Sequence, residues 1–247
     1  METTSSPTSS EPSRWSRSAP ALAGWLALSG ILVGLAFLGA GRGGEDTDED
    51  ILFRYEFAVG SVLVYAIMVG LTVLIGRSFP RPRLALGLRG FPLRWLWITF
   101  GLTLLSLVVS AALEPVLHAG EEQGLAPSEW QSDRAAAFAL NALVVVLVVP
   151  FAEELFFRGL GVRVLAFLGG TAAVVGTALV FALAHGLLVA LPALGFFGVA
   201  LAWVRYRTES VWPGFIAHAT YNGIGILFAV ANALEGERPA EAVVLLP

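Results

Sequence analysis

The sequence predicts an all-α fold, a polytopic transmembrane helical bundle with seven or eight spans. Of its 247 residues, 56% are hydrophobic and only 14% are charged, whereas a soluble domain carries about 25% charged residues. Long uncharged runs recur at about the 20-residue length that crosses a bilayer as a helix. The chain has no cysteine, which excludes disulfides, thiolate zinc sites and cysteine nucleophiles.

The amino-terminal residues 1–18 are rich in Ser, Thr and Pro and nearly free of aliphatic side chains. Such a segment buries too little apolar surface to order itself, so we expect a disordered tail. The apolar run that follows, from Ala19 to Ala40, is longer than the roughly 7–15 residues of a signal-peptide core. It is therefore expected to remain as the first span.

The remaining apolar runs define the other spans. Together they predict helices near 20–41, 52–76, 92–118, 135–152, 171–190, 191–204 and 211–232. We expect the fourth to continue beyond Pro150 to about Phe167. The fifth and sixth share one apolar stretch divided around Pro192, and each piece is short for a full crossing, which leaves the span count open.

A basic connector at residues 77–91 divides the chain and is expected to lie at the cytoplasmic lipid surface. It separates two amino-terminal spans from five later ones. In domain terms, we expect a transmembrane part over 19–118, a second over 135–232 and a tail over 233–247. Arginine is concentrated in alternate loops, so the positive-inside rule places the amino terminus in the cytoplasm and the carboxyl terminus outside.

Polar side chains inside spans are costly and need a reason. The second half of the chain places six there: Glu153, Glu154, Arg158, His185, His218 and Asn222. One interpretation is that the fourth span ends at the two glutamates and that both are solvated. The alternative starts from Arg158, which lies one helical turn after Glu154 and can pair with it. Glu153 then points about 100° away and stays free for chemistry.

Histidine on an apolar helix is more often a packed core residue than a catalytic one, and His118 fits that reading at the outer end of a span. His185 and His218 fit it less well, because Asn222 shares a helix face with His218. Counted from the cytoplasmic ends of their helices at 1.5 Å per residue, Glu153, His185 and His218 lie at depths of roughly 15, 21 and 16 Å. Similar depth favours one shared polar site.

Three motifs resemble those of the CAAX protease and bacteriocin-processing (CPBP, or Abi) family of intramembrane endopeptidases. EELFFR at 153–158 is similar to its EExxxR motif, FALAH at 181–185 to FxxxH, and HATYN at 218–222 to HxxxN. The resemblance covers about 135–232, which would then be the catalytic core. It implies that Glu153 and His185 activate a water molecule, that His218 and Asn222 stabilise the oxyanion, and that Glu154 and Arg158 support the site.

Together with the arginine distribution, the spans predict a multi-pass cell-membrane protein whose active site faces the cytoplasm. Its expected partners are the lipid bilayer and a membrane-associated peptide or protein substrate, with no nucleic acid. Eukaryotic members remove the last three residues of prenylated CAAX proteins; whether this chain's substrate is prenylated stays open.

Several alternatives also remain open. Glu153, His185 and His218 form a recognised zinc-ligand combination, although the HExxH pattern is absent; a mechanism without a cofactor is favoured and zinc stays an alternative. A non-catalytic membrane scaffold or immunity-type factor would need the same polar residues only for packing. A transporter is disfavoured, because the polar groups have no counterpart near 20–118.

Overall fold

The structure is a computed structural model that describes residues 18–40, 50–118, 127 and 129–236. The predicted amino-terminal tail lies outside these residues except for Ser18. Most of the predicted carboxy-terminal tail, 237–247, also lies outside them. The acidic loop at 45–49 is likewise not described.

The described residues form eight helices and no strand, which confirms the predicted all-α fold. In chain order they are α1 Ala19–Ala40, α2 Tyr55–Gly76, α3 Pro82–Ala85, α4 Arg94–Leu117, α5 Ser132–Leu168, α6 Gly170–Leu183, α7 Leu191–Thr208 and α8 Trp212–Gly236.

Five of the described helices, α1, α2, α4, α5 and α8, are long and apolar enough to cross a membrane. The other two long elements match the two pieces predicted to be short: α6 has 14 residues, and α7 has 18 with two arginines in its last turn. The chain is therefore a multi-pass membrane protein. The remaining helix, α3, is a four-residue turn inside the basic connector.

The bundle exposes apolar side chains and buries polar ones. Leucine, isoleucine and valine are exposed along α1, α2, α4 and α8, as expected where lipid replaces water as the solvent. The main core joins both halves of the chain, because Trp25 of α1 and Met68 of α2 belong to the same cluster as Phe156, Phe181 and Phe197.

The basic connector packs against this core on one side. Phe79 and Leu86 are buried in the main cluster. The Arg205 Nη2 donates to the Ala85 carbonyl over 3.1 Å, and the Val211 amide donates to the Gly87 carbonyl over 3.1 Å. The segment is thus fixed to the last turn of α7 and to the loop that joins α7 to α8.

Helix α5 continues past Pro150 as predicted, but not as a regular α-helix. Val144–Val148 and Glu154–Gly161 are π-helical, a form that is rare and often found at functional sites. In the first of these segments the Val149 amide donates to the Val144 carbonyl. In the same π pattern the Val145 carbonyl would accept a hydrogen bond from the amide of residue 150, but Pro150 has no N–H. The Val145 carbonyl can therefore accept a hydrogen bond from another helix.

Candidate active site

Helix α5 carries three ionisable side chains into the protein interior. Glu153 is 7% exposed, Glu154 is 1% exposed and Arg158 is fully buried. The interpretation that both carboxylates are solvated at a helix end is therefore wrong. Buried charges need partners, and the neighbouring helices supply them.

One oxygen of Glu154 contacts both an arginine and a histidine. Its Oε1 lies 3.0 Å from Arg158 Nη1, the pairing predicted from the one-turn spacing, and 3.2 Å from His218 Nδ1. The second contact was not predicted. It fixes the orientation of the His218 ring, because an Nδ1–H that donates to Glu154 turns Nε2 toward the other carboxylate.

Arg158 is enclosed on its remaining sides. The guanidinium lies over the Phe181 ring at 4.0 Å from its centroid, and Nη2 donates to the Gly198 carbonyl over 3.5 Å. Phe181 belongs to α6 and Gly198 to α7, so the charge on α5 binds both helices. A cation over an aromatic face in a desolvated site is a favourable arrangement.

Close approach of α8 to this ion cluster depends on Gly214. A Cβ atom at that position would lie 2.5 Å from Glu154 Oε2, nearer than a carboxylate oxygen and a carbon can pack. The missing side chain therefore admits the carboxylate against the α8 backbone. This requirement explains a glycine one turn before His218.

Glu153 faces a different environment. Its Oε1 accepts a hydrogen bond from the Tyr65 hydroxyl over 3.2 Å, and its Oε2 lies 3.7 Å from His218 Nε2. That Oε2 is buried and has no hydrogen-bond partner among the described protein groups. Tyr65 thus holds one oxygen of the carboxylate, and the other oxygen faces the His218 imidazole.

Tyr65 was missed by the sequence reasoning, which found no polar counterpart in the amino-terminal half. It lies near the middle of α2, whereas tyrosines of membrane helices concentrate at the interfaces. Its position in the middle of a span was the feature of the sequence that could have identified it as a site residue. The hydroxyl ties the first half of the chain directly to the predicted site.

His185 lies beyond the end of α6, not inside a span that continues to 190 as predicted. The helix ends at Leu183 and the chain turns at Gly186, whose φ is +69°. The His185 Nδ1 is 2.8 Å from the Phe181 carbonyl oxygen, which leaves Nε2 as the nitrogen available to a ligand. The Phe181 ring packs against both imidazoles, at centroid distances of 4.7 Å to His185 and 5.8 Å to His218.

Among the described residues, no hydrogen bond or ion pair joins His185 to Glu153. The imidazole that contacts Glu153 is that of His218. The structure therefore brings Glu153, Glu154, Arg158 and His218 into direct contact, and His185 adjoins them through Phe181.

Asn222 lies one turn after His218 on α8, and its Nδ2 donates to the Val145 carbonyl over 3.0 Å. This is the carbonyl that the π turn and Pro150 leave without a helical donor, so the amide stabilises the break in α5. An amide nitrogen carries two hydrogens, and the bond to Val145 uses one.

The predicted zinc ligands do not form a metal-binding arrangement. Within the described residues, no group of three or more His, Cys, Asp or Glu side chains is placed to hold a metal ion. The Nδ1 atoms of His218 and His185 are engaged by Glu154 and by the Phe181 carbonyl, so Nε2 of each ring is the nitrogen that could bind a ligand.

Comparison with known proteins identifies the segment that carries this site. Residues 135–224 match the family model described as type II CAAX prenyl endopeptidase Rce1-like. No curated protein and no solved structure matches. The matched range is less than half of the chain; it contains Glu153, His185, His218 and Asn222 but not Tyr65. The resemblance predicted from the three motifs is thereby confirmed: segment 135–224 is similar to the Rce1-like family of type II CAAX prenyl endopeptidases.

Proposed function

We propose that this chain is an intramembrane endopeptidase in which Glu153 activates water to hydrolyse a peptide bond. One observation supports this most directly: Glu153 Oε2 is buried, unpartnered within the described residues and 3.7 Å from His218 Nε2. A carboxylate with one oxygen available beside an imidazole is suited to accept a proton from water. No serine or cysteine is needed as a nucleophile.

Glu153 acts as the general base. A water molecule bound at Oε2 gives one proton to the carboxylate while its oxygen attacks the carbonyl carbon of the substrate. As the C–N bond breaks, that proton passes to the leaving amine, and the new carboxylic acid keeps the water oxygen. Tyr65 holds Oε1 throughout, so the carboxylate keeps one orientation for both proton transfers.

The oxyanion that forms on the carbonyl needs hydrogen-bond donors, each of which is worth roughly 3–4 kcal/mol in other hydrolases. Asn222 offers the second hydrogen of Nδ2 in any protonation state of the site. His218 offers Nε2–H only as an imidazolium, because its Nδ1–H is used on Glu154. His185, with Nδ1 engaged by the Phe181 carbonyl, presents Nε2 to the water or to the substrate.

The substrate that suits this site is a membrane-associated peptide or protein, cut at the arginine-rich end of the bundle. That end is the cytoplasmic one by the positive-inside rule. We propose a reaction without a metal ion, since Glu153 and the two imidazoles supply the proton transfers themselves.

The decisive experiment compares membrane proteomes of cells that carry the wild-type chain, Glu153→Gln or Glu56→Gln. Glu56 is exposed in the first turn of α2, so its variant loses the same charge away from the site. We expect at least one precursor to accumulate with Glu153→Gln alone, at equal protein abundance. Identical proteomes in all three strains would favour a non-catalytic scaffold or immunity-type factor.

Metal dependence has its own test. Cleavage by the purified chain should persist in excess EDTA and in phenanthroline. If activity disappears and returns with added zinc, the metal-free mechanism is wrong even though the protease assignment stands.

A further inference from the structure

A second site is suggested by two neighbouring cavities away from Glu153. The larger, of about 490 Å³, is an apolar groove between α4 and α8. Its lining includes Leu96, Trp97, Phe100, Thr103 and Ile216. Such a surface fits a hydrocarbon chain. The Thr103 and Thr220 hydroxyls in its lining donate to the carbonyls of Thr99 and Ile216, whereas the Thr99 hydroxyl is buried without a hydrogen-bond partner among the described residues.

The smaller cavity, of about 360 Å³, lies between the start of α4 and the end of α7 and is basic. Three arginines line it, Arg89, Arg94 and Arg207, together with a single carboxylate, Glu209. Glu209 pairs with Arg89 at 2.7 Å. The pocket therefore keeps a net positive charge, carried by Arg94 and Arg207.

Both cavities lie at the start of α4. Leu93, the residue before the helix, lines the groove and Arg94, its first residue, lines the basic pocket, so at about 1.5 Å of rise per residue the two linings lie at nearly the same height along the axis. Trp97, 78% exposed, follows within one turn. Tryptophan at a helix end marks the membrane–water interface, so the basic pocket lies at headgroup level and the groove extends toward the hydrocarbon.

We propose that this composite site binds one anionic phospholipid, with its phosphate on Arg94 and Arg207 and an acyl chain in the groove. Guanidinium groups bind phosphate oxygens in pairs, and basic pockets between membrane helices are known to hold anionic headgroups. A zwitterionic lipid would bring a second, cationic group into a pocket that is already positive. The charge of the pocket therefore selects the headgroup.

The lipid site is separate from the reacting atoms but shares a helix with them. Ala217 lines the groove, while the next residue, His218, points about 100° away into the ion cluster. Across the same interface the Ser110 and Tyr221 hydroxyls are 2.7 Å apart. A lipid held between α4 and α8 would thus stabilise the position of the helix that carries His218 and Asn222.

The test uses the purified full-length chain in a neutral detergent and phosphatidylglycerol with brominated acyl chains, which quench nearby tryptophan. We expect saturable quenching that Trp97→Phe largely removes, and much weaker quenching by brominated phosphatidylcholine. The double variant Arg94→Gln/Arg207→Gln should bind phosphatidylglycerol about 30-fold more weakly, at about one kcal/mol per arginine. The control Arg81→Gln/Arg83→Gln, which removes two exposed charges from the connector, should bind as the wild type does.

Three outcomes would overturn the proposal. Equal quenching by the two headgroups would show an unselective lipid contact. Equal weakening by the connector control would show that net charge alone attracts the lipid. A farnesylated peptide that displaces the brominated zwitterionic lipid and the brominated anionic lipid from the groove equally well would assign the groove to the substrate. The midpoint temperature of thermal unfolding, measured in parallel, should rise by several degrees when phosphatidylglycerol is added to the wild type and should not change in the double variant.

Discussion

The two adjacent carboxylates of α5 differ in what surrounds them. Each leaves its Oε2 without a hydrogen-bond partner among the described residues, but Glu154 pairs with the Arg158 guanidinium and packs against the α8 backbone at Gly214. Glu153 has no arginine partner among these residues and is held by the Tyr65 phenol. The ring of His218 lies between them, with one nitrogen toward each.

This difference separates two tasks that the same residue type can perform. A buried carboxylate with an ion pair and further hydrogen bonds fixes neighbouring elements, and its removal leaves an uncompensated charge. A buried carboxylate that is not paired with an arginine can instead exchange a proton with a ligand. Variants of the two glutamates and of the residues that hold them should therefore affect different measurements.

The largest effect is expected for Glu153→Gln, which keeps the shape of the side chain and removes the base. Cleavage, by the purified chain, of the precursor identified in the proteome comparison should fall by about 1,000-fold, while the thermal unfolding midpoint stays within a few degrees. Glu56→Gln, on the exposed start of α2, should leave both quantities unchanged. Activity retained by Glu153→Gln would end the proposed mechanism.

Arg158→Ala should act on folding. It removes the cation beside Glu154 and leaves that carboxylate buried without its partner. The free energy of unfolding should fall by about 3–5 kcal/mol. Quantitative immunoblots of isolated membranes should show much less Arg158→Ala and Glu154→Ala protein than Glu153→Ala protein. Equal amounts of all three variants would contradict the division between the two carboxylates.

A smaller effect is expected for Gly214→Ala, because the added methyl group would meet Glu154 Oε2 and displace it. Such overpacking costs about 1–3 kcal/mol and should lower the unfolding temperature in detergent. Gly225→Ala is the matched control on the same helix, since a Cβ there has no neighbour within 4 Å. The control should be neutral or slightly stabilising through helix propensity.

The smallest effect is expected for Tyr65→Phe, which removes one hydrogen bond to Glu153 and retains the ring. Without this bond Glu153 is oriented less well, which should raise the activation free energy by about 1 kcal/mol. We therefore expect kcat to fall about fivefold to tenfold with KM nearly unchanged. Tyr55→Phe, at the exposed start of the same helix, serves as control. Unchanged kcat in Tyr65→Phe would remove this residue from the site.

The helices could be predicted from sequence because hydropathy sets their length. The predicted span at 20–41 became Ala19–Ala40, and the fourth span reached Leu168 where about Phe167 was expected. The span predicted to reach 190 ended at Leu183 instead. A glycine in the left-handed region after His185 ends it, and an apolar run does not reveal that turn.

The candidate site could be predicted only in part, because spacing gives depth and helix face but not the neighbour across an interface. The pair formed by Glu154 and Arg158 follows from positions along one helix. The contacts of Glu153 with Tyr65 and of Glu154 with His218 depend on how α2 and α8 pack on α5. The bond from Asn222 to Val145 depends on a π turn, which no residue pattern specified.

The pairing of Glu154 with Arg158 within one helix also bears on biosynthesis. Charged side chains at mid-bilayer raise the cost of membrane insertion by about 2.5–3.5 kcal/mol each on translocon scales. Because both partners belong to α5, they can neutralise each other as that segment leaves the ribosome, before α6, α7 and α8 have been made. The nascent helix then enters the bilayer with one compensated pair, and His218 joins it only when the last span arrives.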